Sequence, residues 1–146
     1  TLHSAVLTGA GQMLVFGGLR WHNATGYLGD LHAFDTAAAS WRALPASGFP
    51  PTARAGHTAA LDGAARFMYV FGGYDADGAY DSTMYRLELA SLYWRRLLDV
   101  GRAPRPRTDH ASALFGSLWL SFGGWDDGGE WPWVLDDVAA FQLAEV

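Results

Sequence analysis

The chain has 146 residues, half of them apolar, with a formal net charge of −5 and no cysteine. This composition is typical of one soluble globular unit with a sizeable core, and the lack of cysteine excludes disulfides, thiolate metal ligands and cysteine nucleophiles. The acidic balance argues against a general nucleic-acid-binding protein, and no apolar run reaches the ~18 residues of a membrane-spanning helix, so we expect neither nucleic-acid binding nor membrane insertion.

The first fifty residues contain four predicted strands, which are short apolar or alternating runs separated by turn residues. Their ranges are 3–7, 13–16, 30–35 and 41–44. The second strand ends on the pair Gly17-Gly18, and a long loop is predicted after it at 19–29. The segment 45–54 contains three prolines and a glycine, which predicts an irregular connection to the next unit.

The same order of strands returns twice along the rest of the chain. Predicted strands are 56–61, 67–71, 83–89 and 94–97 in the second unit and 110–114, 118–122 and 137–143 in the third. A double glycine again follows the second strand of each unit, and long loops are predicted at 74–82 and 125–136. The third unit has no predicted fourth strand.

Landmark residues keep a constant spacing between the units. His3, His57 and His110 are 54 and 53 residues apart, and Trp41 and Trp94 are 53 apart. An arginine stands three residues before the second and the third of these histidines. A repeat of this length predicts an architecture of stacked, equivalent units. The units are residues 1–54, 55–107 and 108–146, the last without its fourth strand.

A unit of about 50 residues with four strands, a double glycine and a late tryptophan resembles the Kelch repeat. The positions that match are Phe16-Gly17-Gly18, Phe71-Gly72-Gly73, Phe122-Gly123-Gly124, Trp41, Trp94, Arg54, His57, Arg107 and His110. The resemblance implies an all-β, Kelch-type β-propeller with about three four-stranded blades of an incomplete ring. It also implies that the loops after the second strands share one face with the connections between blades, and that this face usually binds a protein partner.

Two positions depart from the Kelch pattern. The third strand of the second unit begins at Thr83, where the pattern has an aspartate, and Ser121 interrupts an apolar strand of the third unit. The serine predicts looser packing in that unit.

Several residues could carry chemistry, but simpler interpretations apply to each. The repeated histidines could form a metal ring, yet a position repeated in every unit is more simply a scaffold position. Asp75, Asp77 and Asp81 resemble a calcium-binding loop without its closing glutamate. We interpret them, and the acidic residues at 126–130, as solvated turn carboxylates.

Two enzyme types related to Kelch propellers can be tested against the sequence. The copper-dependent galactose-oxidase type needs a cysteine cross-linked to a tyrosine, and the chain has no cysteine. The iron-dependent specifier type carries Glu, Asp and His at four-residue spacings, and residues 92 and 134, four after Glu88 and Glu130, are apolar. We therefore predict no enzyme activity, no cofactor, no metal and no catalytic residue.

Aromatic and arginine side chains in the predicted loops favour a protein-binding surface, because these residue types are enriched at binding hot spots. The candidates are Trp21, His22, Tyr74, Tyr80, Arg102, Arg105, Trp125, Trp131 and Trp133. We predict a non-catalytic scaffold or adaptor whose partner is another protein or a peptide. The alternative is a carbohydrate-binding or enzymatic propeller, in which Trp131 and Trp133 form a sugar-stacking platform beside acidic residues.

Two expectations concern the context of the chain. A propeller ring has about four to eight blades, so we expect further blades, from the same longer chain or from other subunits, to complete the ring. The lack of cysteine suits a reducing compartment and predicts a cytoplasmic location. The sequon at Asn23 would matter only in a secreted protein.

Overall fold

The computed structural model describes residues 1–20, 26–97, 104–126 and 134–143, which form strands, turns and irregular connections without a helix. Three blades of mainly antiparallel strands follow one another along the chain and pack face to face. This all-β architecture of stacked propeller blades confirms the predicted fold class. The interface of blades one and two is called the first seam below, and that of blades two and three the second seam.

Blade one is a four-stranded sheet in chain order. Its strands are β1 (Ser4–Leu7), β2 (Gln12–Leu19), β3 (Tyr27–Asp35) and β4 (Ser40–Ala43). The two central strands extend past the double glycine, because the register shifts between Phe16 and Gly18 and pairing continues to Leu19 and Tyr27. Both glycines have positive φ, 63° and 106°, which a β-bulge of this kind accommodates. The loop predicted at 19–29 is therefore shorter at both ends.

Blade two incorporates a piece of the connection that precedes it. The strands in this part of the chain are β5 (Ser47–Gly48), β6 (Arg54–Ala55), β7 (Thr58–Leu61), β8 (Phe67–Phe71), β9 (Tyr74–Asp75), β10 (Met84–Glu88) and β11 (Tyr93–Leu97). The sheet has the order β5-β11-β10-β8-β7, with β5 parallel to β11, and β6 pairs separately with β9. Strands β5 and β9, and the first residue of β6, thus lie in segments predicted to be irregular, 45–54 and 74–82.

Blade three contains three strands within the described residues, in chain order. They are β12 (Ala111–Phe115), β13 (Leu118–Phe122) and β14 (Val138–Gln142). Ser121 on β13 is only 1% exposed, and its hydroxyl lies 3.2 Å from that of Ser112, which accepts a hydrogen bond from Thr58 at 2.8 Å. The packing around Ser121 is close and hydrogen-bonded, so the prediction of looser packing was wrong.

The core of the molecule lies in the two seams. Side chains alternate along each strand, so each blade presents apolar residues on both faces. The first seam is filled by Leu14, Phe16, Leu31, Ala33, Leu44, Met68, Val70, Tyr85, Leu87 and Trp94. The second seam is filled by Tyr69, Phe71, Met84, Trp119, Phe141 and Leu143. Full burial of a large apolar side chain contributes roughly 1.5–3 kcal/mol, so contacts between blades hold the fold together.

The repeated histidines cross the seams. His57 Nε2 is 2.8 Å from Ser4 Oγ in blade one, and His110 Nε2 is 2.8 Å from Thr58 Oγ1 in blade two. Each imidazole also lies edge-on to the phenylalanine before the double glycine of the earlier blade, at 5.4 and 5.5 Å. Burial, and then the charge of a nearby arginine, lowers the pKa of His57 to about 3 and that of His110 to about 4. Both histidines are therefore neutral at pH 7.

The outermost blade faces expose residues whose counterparts are buried in the seams. Trp94 is 1% exposed and packs against Phe16 at a ring distance of 5.3 Å. Trp41, at the same repeat position in blade one, is 56% exposed and contacts Phe34 of its own blade at 4.9 Å. Phe122 is 58% exposed, whereas the equivalent phenylalanines of blades one and two are fully buried. Trp41 is therefore not a core residue in the described part of the chain.

Candidate functional site

Two buried arginines fix the connections between blades to the loops after the second strands. Arg107 is fully buried and forms a bidentate pair with Asp137, at 2.9 and 3.0 Å, while also donating to the carbonyl of Gly123 at 3.1 Å. Arg54 donates in the same way to the carbonyl of Gly72 at 2.9 Å. The charge-assisted hydrogen bonds of both arginines, bidentate in the case of Arg107, hold the loop backbone in place.

Asp81 supplies the carboxylate that is missing from the start of the third strand in the second unit. It accepts a hydrogen bond from Arg54 at 2.8 Å and from the Tyr85 hydroxyl at 3.1 Å. Burial opposes its ionisation, but the hydrogen bonds of Thr83 and the charge of Arg54 dominate and lower the pKa of Asp81. Hydrogen bonds to Arg107 likewise lower the pKa of Asp137. The carboxylate stands two residues earlier in the chain than the Kelch pattern predicts.

A series of backbone hydrogen bonds links the residues immediately before the three repeated histidines. The N–H of Gly56 donates to the carbonyl of Leu2 at 3.0 Å, and the N–H of Asp109 donates to the carbonyl of Gly56 at 2.9 Å. All three residues have left-handed φ angles of 57°, 70° and 53°. The backbone is thus the same in each blade, while the side chain changes from leucine to none to a carboxylate.

The residue after each double glycine occupies a second repeated backbone position. Leu19 and Trp125 donate hydrogen bonds to the carbonyls of Thr1 and Thr108, at 2.7 and 2.9 Å, and Tyr74 of β9 pairs with β6. We call the surface formed by these residues and the blade connections the loop face. On it, a leucine, a tyrosine and a tryptophan occupy equivalent, hydrogen-bonded positions.

A cleft of about 350 Å³ opens on the loop face between blades two and three. It is lined by Tyr74, Tyr80, Thr108, Asp109, Trp125 and Asp126. The rings of Tyr74 and Tyr80 are stacked at 5.9 Å, and Tyr27 meets Tyr74 edge-on at 5.6 Å. Trp125 is 44% exposed. The cleft therefore combines aromatic walls with two carboxyl groups.

The electrostatic environment of the cleft disfavours negative charge. Partial burial raises the pKa of Asp109, against the effect of a hydrogen bond from Thr108. Burial also raises the pKa of Tyr74, and the neighbouring Tyr27 and Asp109 raise it further. At the rim, Arg105 Nη1 lies 3.7 Å from Asp126 Oδ2, with the arginine side chain 75% exposed and the aspartate 9% exposed.

The structure brings part of the predicted partner-binding set together. Tyr74, Tyr80 and Trp125 line one cleft, and Arg105 lies at its rim. The other predicted members, Trp21, His22, Arg102, Trp131 and Trp133, lie outside the described residues. The predicted partner-binding set did not include Asp109 or Tyr27. Comparison of the units offered a signal for Asp109, because an aspartate stands where the second unit has glycine.

The acidic residues predicted to be solvated turn carboxylates act in part as turn caps. Asp75 Oδ1 accepts hydrogen bonds from the N–H groups of Asp77 and Ala79, both at 3.1 Å. Within the described ranges, no group of three or more His, Cys, Asp or Glu side chains could hold a metal ion. The same part of the chain contains no helix long and apolar enough to cross a membrane.

Comparison with known proteins shows similarity across almost the whole chain. The sequence matches the model of the KLHDC2/KLHL20/DRC7 Kelch-repeats domain over residues 2–146. It is 35% identical over 116 residues to acyl-CoA-binding domain-containing protein 5 of Arabidopsis thaliana, which covers 80% of this chain and 17% of that protein. It is 32% identical over 123 residues to Kelch domain-containing protein 3 of Homo sapiens, covering 84% of this chain and 31% of that protein. The chain spans less than a third of the length of these relatives.

Proposed function

This chain belongs to the Kelch-repeat family, and from that premise we propose that it is a non-catalytic scaffold that binds a protein or peptide on its loop face. The observation that carries the proposal is the cleft between blades two and three, where Tyr74, Tyr80 and Trp125 meet. Tryptophan and tyrosine are among the residues enriched at interface hot spots. Trp125 is accessible to a partner, since its side chain is 44% exposed, while its backbone is held by hydrogen bonds with Thr108.

The rigid support of the loop face favours binding. Arg54 and Arg107 hold the loop backbone through buried hydrogen bonds to the carbonyls of Gly72 and Gly123. A surface that is already ordered loses little conformational entropy on association, which leaves more of the interaction energy as affinity. The aromatic side chains therefore stand on a pre-organised platform.

Trp125→Ala tests this proposal. Quantitative affinity purification from the source cells identifies proteins retained by the wild-type chain, and the affinity of each purified partner is then measured by calorimetry. We expect Trp125→Ala to weaken binding by about 2 kcal/mol or more, the loss typical of a hot-spot residue.

Tyr93→Ala is the matched control, because Tyr93 is an exposed aromatic residue on β11, outside the cleft. It should retain partner binding. Equal binding by wild type and Trp125→Ala, with the near-ultraviolet spectrum otherwise unchanged, would contradict the proposal that the partner occupies this face.

Carbohydrate binding is a second candidate, supported by the exposed Trp125 next to Asp109 and Asp126 in one cleft. An exposed indole can stack on a sugar ring while carboxylates bind its hydroxyls. Titration with cellohexaose and maltohexaose, followed by tryptophan fluorescence, separates the two functions. A saturable change that is lost in Trp125→Ala would favour the sugar-binding function.

Further blades, from the same longer chain or from other subunits, are also proposed as partners of the outermost blade faces. The support is the exposure of Trp41 and Phe122, whose counterparts in the seams are buried. Exposed apolar sheet faces of this kind promote association. Sedimentation equilibrium of residues 1–146 should therefore show self-association, and a sharply melting monomer would contradict this proposal.

A further inference from the structure

The walls of the loop-face cleft are the faces and edges of aromatic rings. Tyr74 and Tyr80 are stacked with an interplanar angle of 26°, and Trp125 lines the cleft with 44% of its surface exposed. The negative potential over an aromatic face attracts cations, most strongly over tryptophan and then tyrosine. Three such side chains around one cleft are better suited to a cation with an apolar stem than to an anion.

Asp109 places a carboxylate in the same cleft at a conformational cost. Its φ is 53°, and the equivalent residue of blade two is Gly56 with φ 70°. Glycine adopts this left-handed conformation freely, and aspartate tolerates it better than most other residues. The repeat therefore has a negative charge at a backbone position where a residue without a side chain is sufficient for the fold.

Asp126 adds a second carboxylate to the lining, and it is almost fully buried. Its ion pair with Arg105 is long, at 3.7 Å, and the arginine side chain is 75% exposed. The arginine end of this pair lies in solvent, so water partly screens the contact.

The neighbouring groups show what ionisation costs in the cleft. Burial raises the pKa of Asp109, and Asp109 is one of the groups that raise the pKa of Tyr74. Burial makes the ionised form of Asp109 costly, and a cation placed beside this carboxylate would offset that cost.

We infer that this cleft binds the cationic side chain of a partner protein, a lysine ammonium or an arginine guanidinium, between Tyr80, Trp125 and Asp109. The inference rests on the proposed function and specifies its partner chemistry. A cleft of about 350 Å³ can admit the end of one long side chain, and the aromatic walls cover its methylene stem while the carboxylates meet its charge. An acidic or apolar anchor would leave Asp109 without a counter-charge.

Peptide titrations followed by ¹H–¹⁵N NMR test the inference on the full 146-residue chain. The probes are Ac-Gly-Arg-Gly-NH2, Ac-Gly-Lys-Gly-NH2 and the neutral isostere Ac-Gly-citrulline-Gly-NH2. We expect the arginine or the lysine probe to shift the Trp125 indole signal saturably, and the citrulline probe to bind about tenfold more weakly, as loss of a cation–π contact and a charge pair predicts. The two charged probes together decide whether the site prefers a planar or a compact cation.

Asp109→Asn provides the decisive variant, because asparagine also tolerates the left-handed backbone and the change removes only the charge. It should weaken the charged probe by about tenfold, whereas Asp77→Asn, a carboxylate change in a turn outside the cleft, should have no effect. Tyr80→Leu, which keeps bulk but removes the ring, gives an independent measurement if Asp109→Asn perturbs the spectrum broadly. Equal binding of the citrulline and charged probes, or undiminished binding by both cleft variants, overturns the inference.

The failure of this inference is distinguishable from failure of the proposed function. A protein partner that depends on Trp125 but is not displaced by the arginine or lysine probe, and binds Asp109→Asn normally, leaves the loop face as a binding surface while removing its cationic specificity. Loss of all partner dependence on Trp125 instead contradicts the proposed function itself.

Discussion

At the first seam, Phe16 lies edge-on to His57 at 5.4 Å, and Trp94 closes the contact at 5.3 Å from the same phenylalanine. At the second seam, Phe71 lies edge-on to His110 at 5.5 Å, but Phe141 packs against this phenylalanine in place of a tryptophan, at 5.4 Å. The histidine–hydroxyl contact measures 2.8 Å in both. The second seam adds hydroxyl contacts that continue from Thr58 through Ser112 to Ser121, whereas the first seam has Val70 at the position of Ser121.

The difference between the seams shows which parts of the repeat are constrained and which are free. The histidine bonds and the arginine hydrogen bonds to the carbonyls of Gly72 and Gly123 recur with nearly the same geometry, whereas the side chains that fill the seam differ in size and polarity. The loop face repeats this division, because its backbone bonds recur while its side chains change. Variation on a constant backbone is where a binding surface can diversify without loss of the fold.

Lowering the pH should disrupt both seams and produce the largest effect. The pKa values of His57 and His110 are about 3 and about 4 in the fold, against an ordinary value of 6.5. Between pH 6.5 and 4 the unfolded chain therefore binds more protons, and the free energy of unfolding falls as the pH falls. Each pKa unit corresponds to about 1.4 kcal/mol, so the two histidines together remove roughly 5 kcal/mol by pH 4. Urea denaturation at a series of pH values measures this slope.

The pH window separates the histidines from the paired carboxylates. The pKa values of Asp81 and Asp137 are lowered below 3.8, so their contribution is fully present above that pH and is lost only at more acidic values. Asp109 has a raised pKa, so its protonation increases the free energy of unfolding as the pH falls, an effect opposite to that of the histidines. Between pH 6.5 and 4, His110→Gln should lower by about one the number of protons that the unfolded chain binds in excess of the folded chain. The pH dependence of the free energy of unfolding should become correspondingly less steep. A stability that is constant over this range contradicts the burial of neutral histidines.

Arg107→Ala should be the most damaging single substitution on the loop face. It removes the bidentate pair with Asp137 and leaves the carbonyl of Gly123 without its donor. We expect a loss of about 3 kcal/mol in the free energy of unfolding, because the arginine is fully buried. Arg95→Ala, at an exposed position on β11, is the control and should change stability by less than about 0.5 kcal/mol. Similar effects of the two substitutions would show that the buried pair is not a structural constraint.

Gly56→Ala tests whether the backbone hydrogen bonds that link Leu2, Gly56 and Asp109 tolerate a side chain at the position in blade two. An added Cβ would lie 2.0 Å from Thr108 Oγ1, and the φ of 70° is unfavourable for alanine. We expect a destabilisation of about 2–3 kcal/mol from overpacking and backbone strain. Gly63→Ala is the matched control, because nothing lies within 4 Å of its added Cβ. Equal thermal midpoints for the two variants would mean that blade two can relax around a side chain at Gly56.

The sequence predicted the elements that depend on local pattern and spacing. Strand β8 at 67–71 and strand β13 at 118–122 have their predicted ranges, because apolar runs that end on double glycines define them. The continuation of β2 and β3 past Gly17 was not predicted, since a bulge depends on the partner strand and not on composition.

Features that depend on contacts between blades were also missed. Arg54 binds Asp81 instead of an aspartate two residues later, where the Kelch pattern has one. The location of a carboxylate in the folded structure, and not its position in the repeat sequence, decides whether the arginine can bind it. Trp41 has the repeat position of Trp94 but is exposed, since burial depends on a neighbouring sheet. The cleft required the relative placement of Tyr74, Asp109 and Trp125, which spacing alone does not determine.

Substitution of Asp109 should have the smallest effect on stability, in contrast to substitution of Gly56 at the equivalent position. Ionised Asp109 is disfavoured in the fold, as its raised pKa indicates, and its left-handed φ of 53° suits asparagine at least as well. Asp109→Asn should therefore change the free energy of unfolding by less than about 0.5 kcal/mol, and Asp109→Gly should leave it unchanged or slightly higher. Urea denaturation of both variants at pH 7 gives the values. A loss above about 1.5 kcal/mol in Asp109→Asn would make this carboxylate a structural group of the kind usually behind large mutational effects. The position would then belong with the constrained contacts of the seams and not with the variable surface of the loop face.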